Sequence, residues 1–207
     1  MDTKAMYKLS YGLFVLTAKD EEKANGCITN TAIQVASEPN QISFAINKAN
    51  YTHDMVQKTK QANISVISEE ADFALFQHFG FQSGRDVDKF AGFTDCKEAA
   101  NGIPYVTKGI NAYFSIAIGQ TVDLGSHTLF IGEPTAMEVL SDAPTATYTY
   151  YQNSIKPKPA EEKPENAGQT VWRCKICGYE YVGEELPADF ICPVCKHPAS
   201  DFEKVIK

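Results

Sequence analysis

Four of the six cysteines crowd into the last 34 residues as two Cys-x-x-Cys pairs, Cys174 with Cys177 and Cys192 with Cys195, separated by 14 residues. Residues 170–207 number only 38, too few to fold on a hydrophobic core alone, so this stretch must be built around whatever the four sulfurs hold. Each pair can wrap one tight turn, and four thiolates in a tetrahedron suit iron or zinc. In a reducing compartment the crowding favours a metal over disulfides. Spacing alone leaves two outcomes open, a redox iron and a structural zinc ribbon.

Upstream, residues 153–169 hold three prolines, three lysines, three glutamates and no aromatic residue. That composition is a linker, and seventeen flexible residues span about 20–25 Å. The chain therefore divides into a domain over 1–152, a Pro/Lys/Glu linker over 153–169 and a tail domain over 170–207. Of the formal net charge of -7, -6 belongs to residues 1–152. Only two arginines occur, Arg85 and Arg173, and no basic patch is visible, which excludes nucleic acid as the main partner. The N-terminus lacks the pattern of a signal peptide and no apolar run is long enough to span a bilayer, so the expectation is a cytoplasmic protein with no membrane partner.

At 43% hydrophobic and 11% aromatic residues the chain can bury a sizeable core. Runs rich in β-branched and aromatic residues predict strands over Tyr11 to Ala18, Cys27 to Ser37, Ile42 to Asn47, Ile64 to Ser68, Ala112 to Ile118 and His127 to Gly132. Tyr51 to Lys60 and Asp72 to Phe79 predict short helices, inserted after the third and fourth strands. Strands and helices do not alternate, so the pattern predicts a mainly β barrel with peripheral helices, not a doubly wound sheet. GxGxxG, Walker, HExxH and GxSxG motifs are absent, so a nucleotide cofactor would not use a Rossmann fingerprint.

Around the tail cysteines stand Cys-Gly-Tyr-x-Tyr, Leu-Pro-x-Asp-Phe, Cys-Pro-Val-Cys and the ending Asp201-Phe202-Glu203-Lys204-Val205. These resemble rubredoxin in the short form found at the end of rubrerythrins. The resemblance implies one iron cycling between Fe(III) and Fe(II) on Cys174, Cys177, Cys192 and Cys195, with Trp172, Tyr179, Phe190 and Phe202 as a small aromatic core. Gly178 follows the first pair as in that family, whereas Lys196 stands where the second pair is usually followed by glycine.

In the large domain, Thr29, Asn30 and Thr31 place short polar groups in the middle of a predicted strand, and Lys48 sits beside a helix entry, a cradle suited to phosphate. The stretch Gly26-x-x-Thr29-x-Thr31, the segment Asn47-Lys48 through Tyr51-Thr52, and the later Ser83-Gly84-Arg85, Asp88-Lys89-Phe90 and Ser126-His127 resemble the FMN-binding split-barrel flavin reductases. The resemblance implies that Thr29, Asn30 and Thr31 meet the isoalloxazine or ribityl chain. Asn47, Lys48, Thr52, Ser83, Gly84 and Arg85 would then surround the ribityl phosphate, and His127 would lie where nicotinamide docks. His53 would cap the helix or touch the flavin edge. Two residues keep two readings each. His127 is a strand histidine satisfied by its neighbour or a catalytic group, and Cys27 is a small buried hydrophobe or a thiol at the flavin.

Together the modules resemble the high-molecular-weight rubredoxins of anaerobes. That implies an NAD(P)H-dependent NADH:rubredoxin oxidoreductase in which FMN passes single electrons to the tail iron. It also implies a homodimer and, as acceptor, a flavodiiron protein that reduces nitric oxide or oxygen. A second expectation is a flavin reductase that releases reduced FMN and carries a zinc ribbon, and a third is a non-catalytic flavin- or metal-binding interaction protein.

Overall fold

A computed structural model gives the fold and describes residues 1–21, 23–157, 170–175, 178–194 and 197–206. The chain divides into two units, residues 1–155 and 156–207.

Among its described residues unit one contains nine strands: β1 (Phe14–Lys19), β2 (Ala24–Thr29), β3 (Ile33–Ser37), β4 (Asn40–Asn47), β5 (Gln61–Ile67), β6 (Cys96–Glu98), β7 (Pro104–Val106), β8 (Ile110–Asp123) and β9 (His127–Val139). Seven of them form one sheet in the order β2-β1-β5-β8-β9-β4-β3, and each neighbouring pair is antiparallel. The two ends of this order, β2 and β3, do not pair with each other among the described residues. At the end of β2 a side chain reaches the β3–β4 pair instead, Thr29 Oγ1 donating to the Ala45 carbonyl at 3.3 Å. Thr31 Oγ1 donates to the Ala45 carbonyl at 3.2 Å and accepts from the Ala45 N–H at 2.9 Å. The expected mainly β, split-barrel architecture with peripheral helices is therefore what the chain adopts, curled without a closing ladder.

Helix α1 (Tyr51–Thr59) begins at Asn50, whose side chain accepts from the Thr52 N–H, and ends at Lys60 in the left-handed region. Helix α2 (Phe73–Gly80) begins at Asp72, whose carboxylate accepts from the Leu75 N–H. Leu16, Phe44, Ile46, Met55, Val56 and Phe130 fill one buried cluster beneath α1. Leu13, Val15, Ile67, Phe76, Phe79 and Tyr151 fill another beneath α2. Each such side chain contributes about 1.5–3 kcal/mol by leaving water, so the barrel is a rigid support for what sits at its rim.

One expectation is corrected. The run Cys27 to Ser37 is not one strand but the end of β2 and all of β3, broken at Asn30–Ala32. Thr29 ends β2, while Asn30 and Thr31 lie in the connection rather than mid-strand. The threonine hydroxyls bond to each other and to Ala45, which offers the backbone an alternative to the ladder. The helices accordingly follow the fourth and fifth strands, not the third and fourth. Strands β8 and β9 also run longer than their periodicity suggested, because residues 117 and 119–123 of the first and 133–139 of the second are largely exposed and lose the buried alternation.

In the second unit, β10 (Thr170–Cys174) lies between β11 (Glu180–Val182) and β12 (Phe202–Ile206), both antiparallel to it. Phe190 packs against Tyr181 at 4.9 Å and Phe202 at 5.4 Å between ring centroids, and stacks on Tyr179. Trp172, expected in the same core, is half-buried with Lys204 Nζ 5.8 Å from its ring centroid.

Candidate functional site

The site assembles where β4 turns into α1. Across the β4–β9 ladder Asn47 stands opposite His127 and Ile46 opposite Thr128. Lys48 N–H donates to the Ser126 carbonyl at 3.0 Å, and Ser126 Oγ lies 2.9 Å from His127 Nδ1. Two residues before Asn47, Ala45 receives Thr31. This short stretch of β4 thus brings together Thr29, Thr31, Asn47, Lys48 and His127, which are spread over a hundred residues of sequence. Asn30 sits half-buried between the two threonines.

The first turn of α1 gathers the rest. Thr52 is fully buried and accepts from Asn25 Nδ2 at 3.0 Å. Gly84 lies so close to Asn25 that a Cβ there would stand 2.2 Å from Oδ1, so this turn needs glycine for close approach. Ser83 Oγ accepts from the Arg85 N–H at 3.1 Å, closing the Ser83–Gly84–Arg85 turn. The Arg85 guanidinium donates to Asp54 at 2.6 Å. Partial burial pushes the Asp54 carboxyl up, but the hydrogen bonds and charges of Arg85 and His53 outweigh that and hold it below the ordinary carboxylate value. His53 does not cap the helix, since Asn50 does. Its Nε2 instead meets Thr128 Oγ1 at 2.9 Å, tying α1 to β9.

Sequence reasoning missed Lys23 as a site residue and gave Tyr51 only as part of the Asn47–Thr52 segment. Lys23 Nζ and the Arg85 guanidinium lie 4.9 and 5.1 Å from the centre of the Tyr51 ring, and Lys23 also donates to the Gly84 carbonyl at 2.6 Å. Lys23 lies in the β1–β2 hairpin, and no local pattern announces that it folds back onto residue 84. Lys48 is engaged as well, 2.6 Å from Asp123, whose carboxyl this ammonium lowers.

Cys27 lies in the barrel core, 3% exposed. Burial pushes its thiol up, and hydrogen bonds to Thr52 and Asn50 with the nearby Lys89 charge only partly offset this. It is a neutral thiol at ordinary pH. The donor set at the β4–α1 junction, Arg85 on Asp54, Lys23 on the Gly84 carbonyl, Lys48 on Asp123 and short polar side chains at a helix start, fits a flavin with its phosphate.

In the second unit, Cys174 and Cys192 are buried, whereas Cys177, Cys195 and Lys196 lie outside the described residues, as does most of the 153–169 linker. Around Cys174 the backbone closes tightly. Gly178 N–H donates to the Cys174 carbonyl at 2.9 Å, Cys174 N–H to Tyr179 at 2.8 Å, and Gly178 holds a φ of +79° that favours glycine. Cys192 N–H donates to the His197 carbonyl at 2.8 Å. Two buried cysteines, each at the start of a tight backbone turn, fit an all-thiolate metal site.

A barrel whose split rim gathers polar and cationic groups, followed in the same chain by a small cysteine-rich ribbon, fits a flavin-dependent oxidoreductase fused to a metal-binding module. The chain belongs to the flavin reductase like domain family, whose model matches residues 6–158, and residues 172–203 match the rubrerythrin, rubredoxin-like domain. It is 37% identical, over 99% of its length and all of the relative's, to the high molecular weight rubredoxin of Moorella thermoacetica. It is also 37% identical to the ferric-chelate reductase (NAD(P)H) of Archaeoglobus fulgidus, over 76% of this chain and 93% of that one. The fold is shared with the NADH:FAD oxidoreductase SgcE6 of Streptomyces globisporus, solved with NAD and FAD fragments, at a TM-score of 0.64 and 19% identity over 77% of this chain and 92% of that one. No helix among the described residues is long and apolar enough to cross a membrane.

Proposed function

We propose that this chain is a cytoplasmic NADH-dependent electron-transfer oxidoreductase. In this reading electrons from NADH reach, through FMN seated at the β4–α1 junction, an iron held by Cys174, Cys177, Cys192 and Cys195. The observation that carries it is the convergence of Thr29, Asn47, Lys48, Thr52, Arg85 and His127 on one rim, in a chain that also carries the four-cysteine unit. A bound flavin takes two electrons as hydride and yields them singly, so one NADH and two ferric ions give NAD+, one proton and two ferrous ions.

The chain's own residues set the positions. Thr29, Asn30 and Thr31 line the ring and ribityl chain, while Asn47, Thr52, Ser83, Gly84 and Arg85 surround the phosphate. Lys48 joins them by exchanging Asp123 for phosphate. His127, steadied by Ser126, stands where the nicotinamide docks. Cys27 stays a packing residue. Ile33, Val35, Met137 and Val139 are exposed apolar side chains, and Ile33 and Met137 help line an open, largely apolar cavity of about 310 Å³. Their exposure supports a homodimer in which a second copy covers them. The terminal acceptor in this reading is a flavodiiron protein that reduces nitric oxide or oxygen.

Anaerobic stopped-flow mixing of the holoprotein with NADH tests the whole sequence. Flavin absorbance should bleach first and the ferric–thiolate bands should fade second, with two irons reduced per NADH. Iron that stays ferric while the flavin turns over would overturn the coupling.

A further inference from the structure

Residue 89 is a buried cation that the site so far does not use. Lys89 is 3% exposed, and its Nζ donates to two main-chain carbonyls on different elements, Gly26 of β2 at 2.8 Å and Phe79 of α2 at 2.9 Å. The residue is also gripped by its backbone, where His78 Nε2 donates to the Lys89 carbonyl at 2.6 Å. Just beyond, Asp88 Oδ1 accepts from the N–H groups of Phe90 and Ala91. Upstream, the N–H groups of Asp86 and Val87 both donate to the Ser83 carbonyl at 3.1 Å, so residues 83–87 form one turn, which Lys23 and Asp54 hold by polar contacts at Gly84 and Arg85 and which Lys89 ties into the barrel on its downstream side.

We propose that Lys89 is the positioning residue of the Ser83–Gly84–Arg85 turn, its ammonium clipping that segment to β2 and α2 and so setting where Arg85 and Ser83 stand; this rests on the flavin reading above. Packing alone does not explain a lysine here. Burying an ammonium costs far more than burying a hydrocarbon of the same shape, which would fill the space at no such cost. What the ammonium adds is direction, since it bonds at once to two elements that an apolar side chain would merely touch.

The clip has a built-in pH range. Desolvation lowers the Lys89 pKa from 10.5 to about 8, against a smaller upward pull from Cys27. The titratable groups around it are Cys27 on β2 and His78 on α2, with Asp86 and Asp88 preceding it on its own segment. Above about pH 8 the folded protein loses the proton that the unfolded chain keeps to about 10.5. Across that range the unfolded state binds more protons, so this group's contribution to global stability rises with pH even as the charged clip loosens locally. Local and global responses of opposite sign separate the clip from a general loss of structure.

The test uses the full-length protein, with FMN affinity followed by quenching of its fluorescence and backbone exchange of residues 81–88 followed by mass spectrometry, corrected for the intrinsic rate. In the wild type both FMN affinity and protection of 81–88 should hold below about pH 8 and fall above it. Lys89→Met should weaken FMN binding about tenfold at neutral pH and abolish both pH breaks. Lys89→Arg should retain neutral-pH affinity without the break. Equal protection of 81–88 in the wild type and Lys89→Met would overturn the clip, whether or not FMN binds. A wild type that shows the exchange break but binds no FMN would instead overturn the flavin reading and leave the clip standing. Should Lys89→Met fail to fold, wild-type protection that stays constant from neutral pH to about pH 10 overturns the proposal by itself.

Discussion

Replacing Cys174 by alanine is expected to remove iron from the protein and unfold the tail, while residues 1–155 keep their flavin and their own melting transition. The tail's three strands are five, three and five residues long, and its buried apolar side chains among the described residues are few, chiefly Val171 and Phe202. Such a core does not cover the entropy of ordering 38 residues. The difference comes from metal–thiolate bonds; structural zinc in zinc-finger peptides, a comparable case, supplies about 10–16 kcal/mol of folding free energy. Cys174 is placed to matter most, because it ends β10, pairs with Phe202 across the ladder and anchors the turn through Gly178. Iron per chain, measured on purified Cys174→Ala, should fall from one to none, and limited proteolysis should cut the tail and spare the barrel. NADH should still bleach the flavin, but the slower ferric phase should vanish. One iron per chain retained without Cys174 would overturn the four-thiolate site.

What could be read beforehand follows a physical division. The tail was legible because metal ligation imposes fixed spacing on the sequence, and Cys174, Gly178 and Cys192 can do their work in few other patterns. The barrel strands were legible where one face is buried and blurred where it is not, as in the exposed outer halves of β8 and β9. At the rim, the individual residues were named from their chemistry and family resemblance, but their partners were not. That Lys48 meets Asp123, Arg85 meets Asp54, and Lys23 reaches Gly84 depends on loops from distant parts of the chain arriving together. Lys89 was the least legible of all. A lysine that follows Asp86 and Asp88 reads as solvated surface, whereas here it is buried beside Phe79 and Phe90, whose ring centroids are 5.7 Å apart.

Gly84→Ala should disable the flavin site through a single methyl group, and the double variant with Asn25→Ala should restore most of what is lost. In Gly84→Ala the new Cβ would lie within 2.2–2.4 Å of three atoms of the Asn25 amide. Asn25 cannot swing aside, for it is 1% exposed and its Nδ2 is bonded to Thr52 in the first turn of α1. The turn must therefore retreat, carrying Ser83 and Arg85 with it, at an overpacking cost of about 1–3 kcal/mol. Asn25→Ala alone removes the hydrogen bond to Thr52, but it also removes a buried Oδ1 with no partner among the described residues, so its own cost is modest, about 1 kcal/mol. With both changes the methyl occupies space the amide has vacated. The two effects should then fall short of additive by about 1–2 kcal/mol, the range seen for side chains in direct contact. Denaturant melts give the stability cycle and FMN titration gives the binding cycle. If the clash is what matters, the two should show the same sign of coupling, with FMN affinity lost in Gly84→Ala and regained in the double variant. Strict additivity in both would mean that Asn25 and Gly84 act independently and that the turn is held from elsewhere.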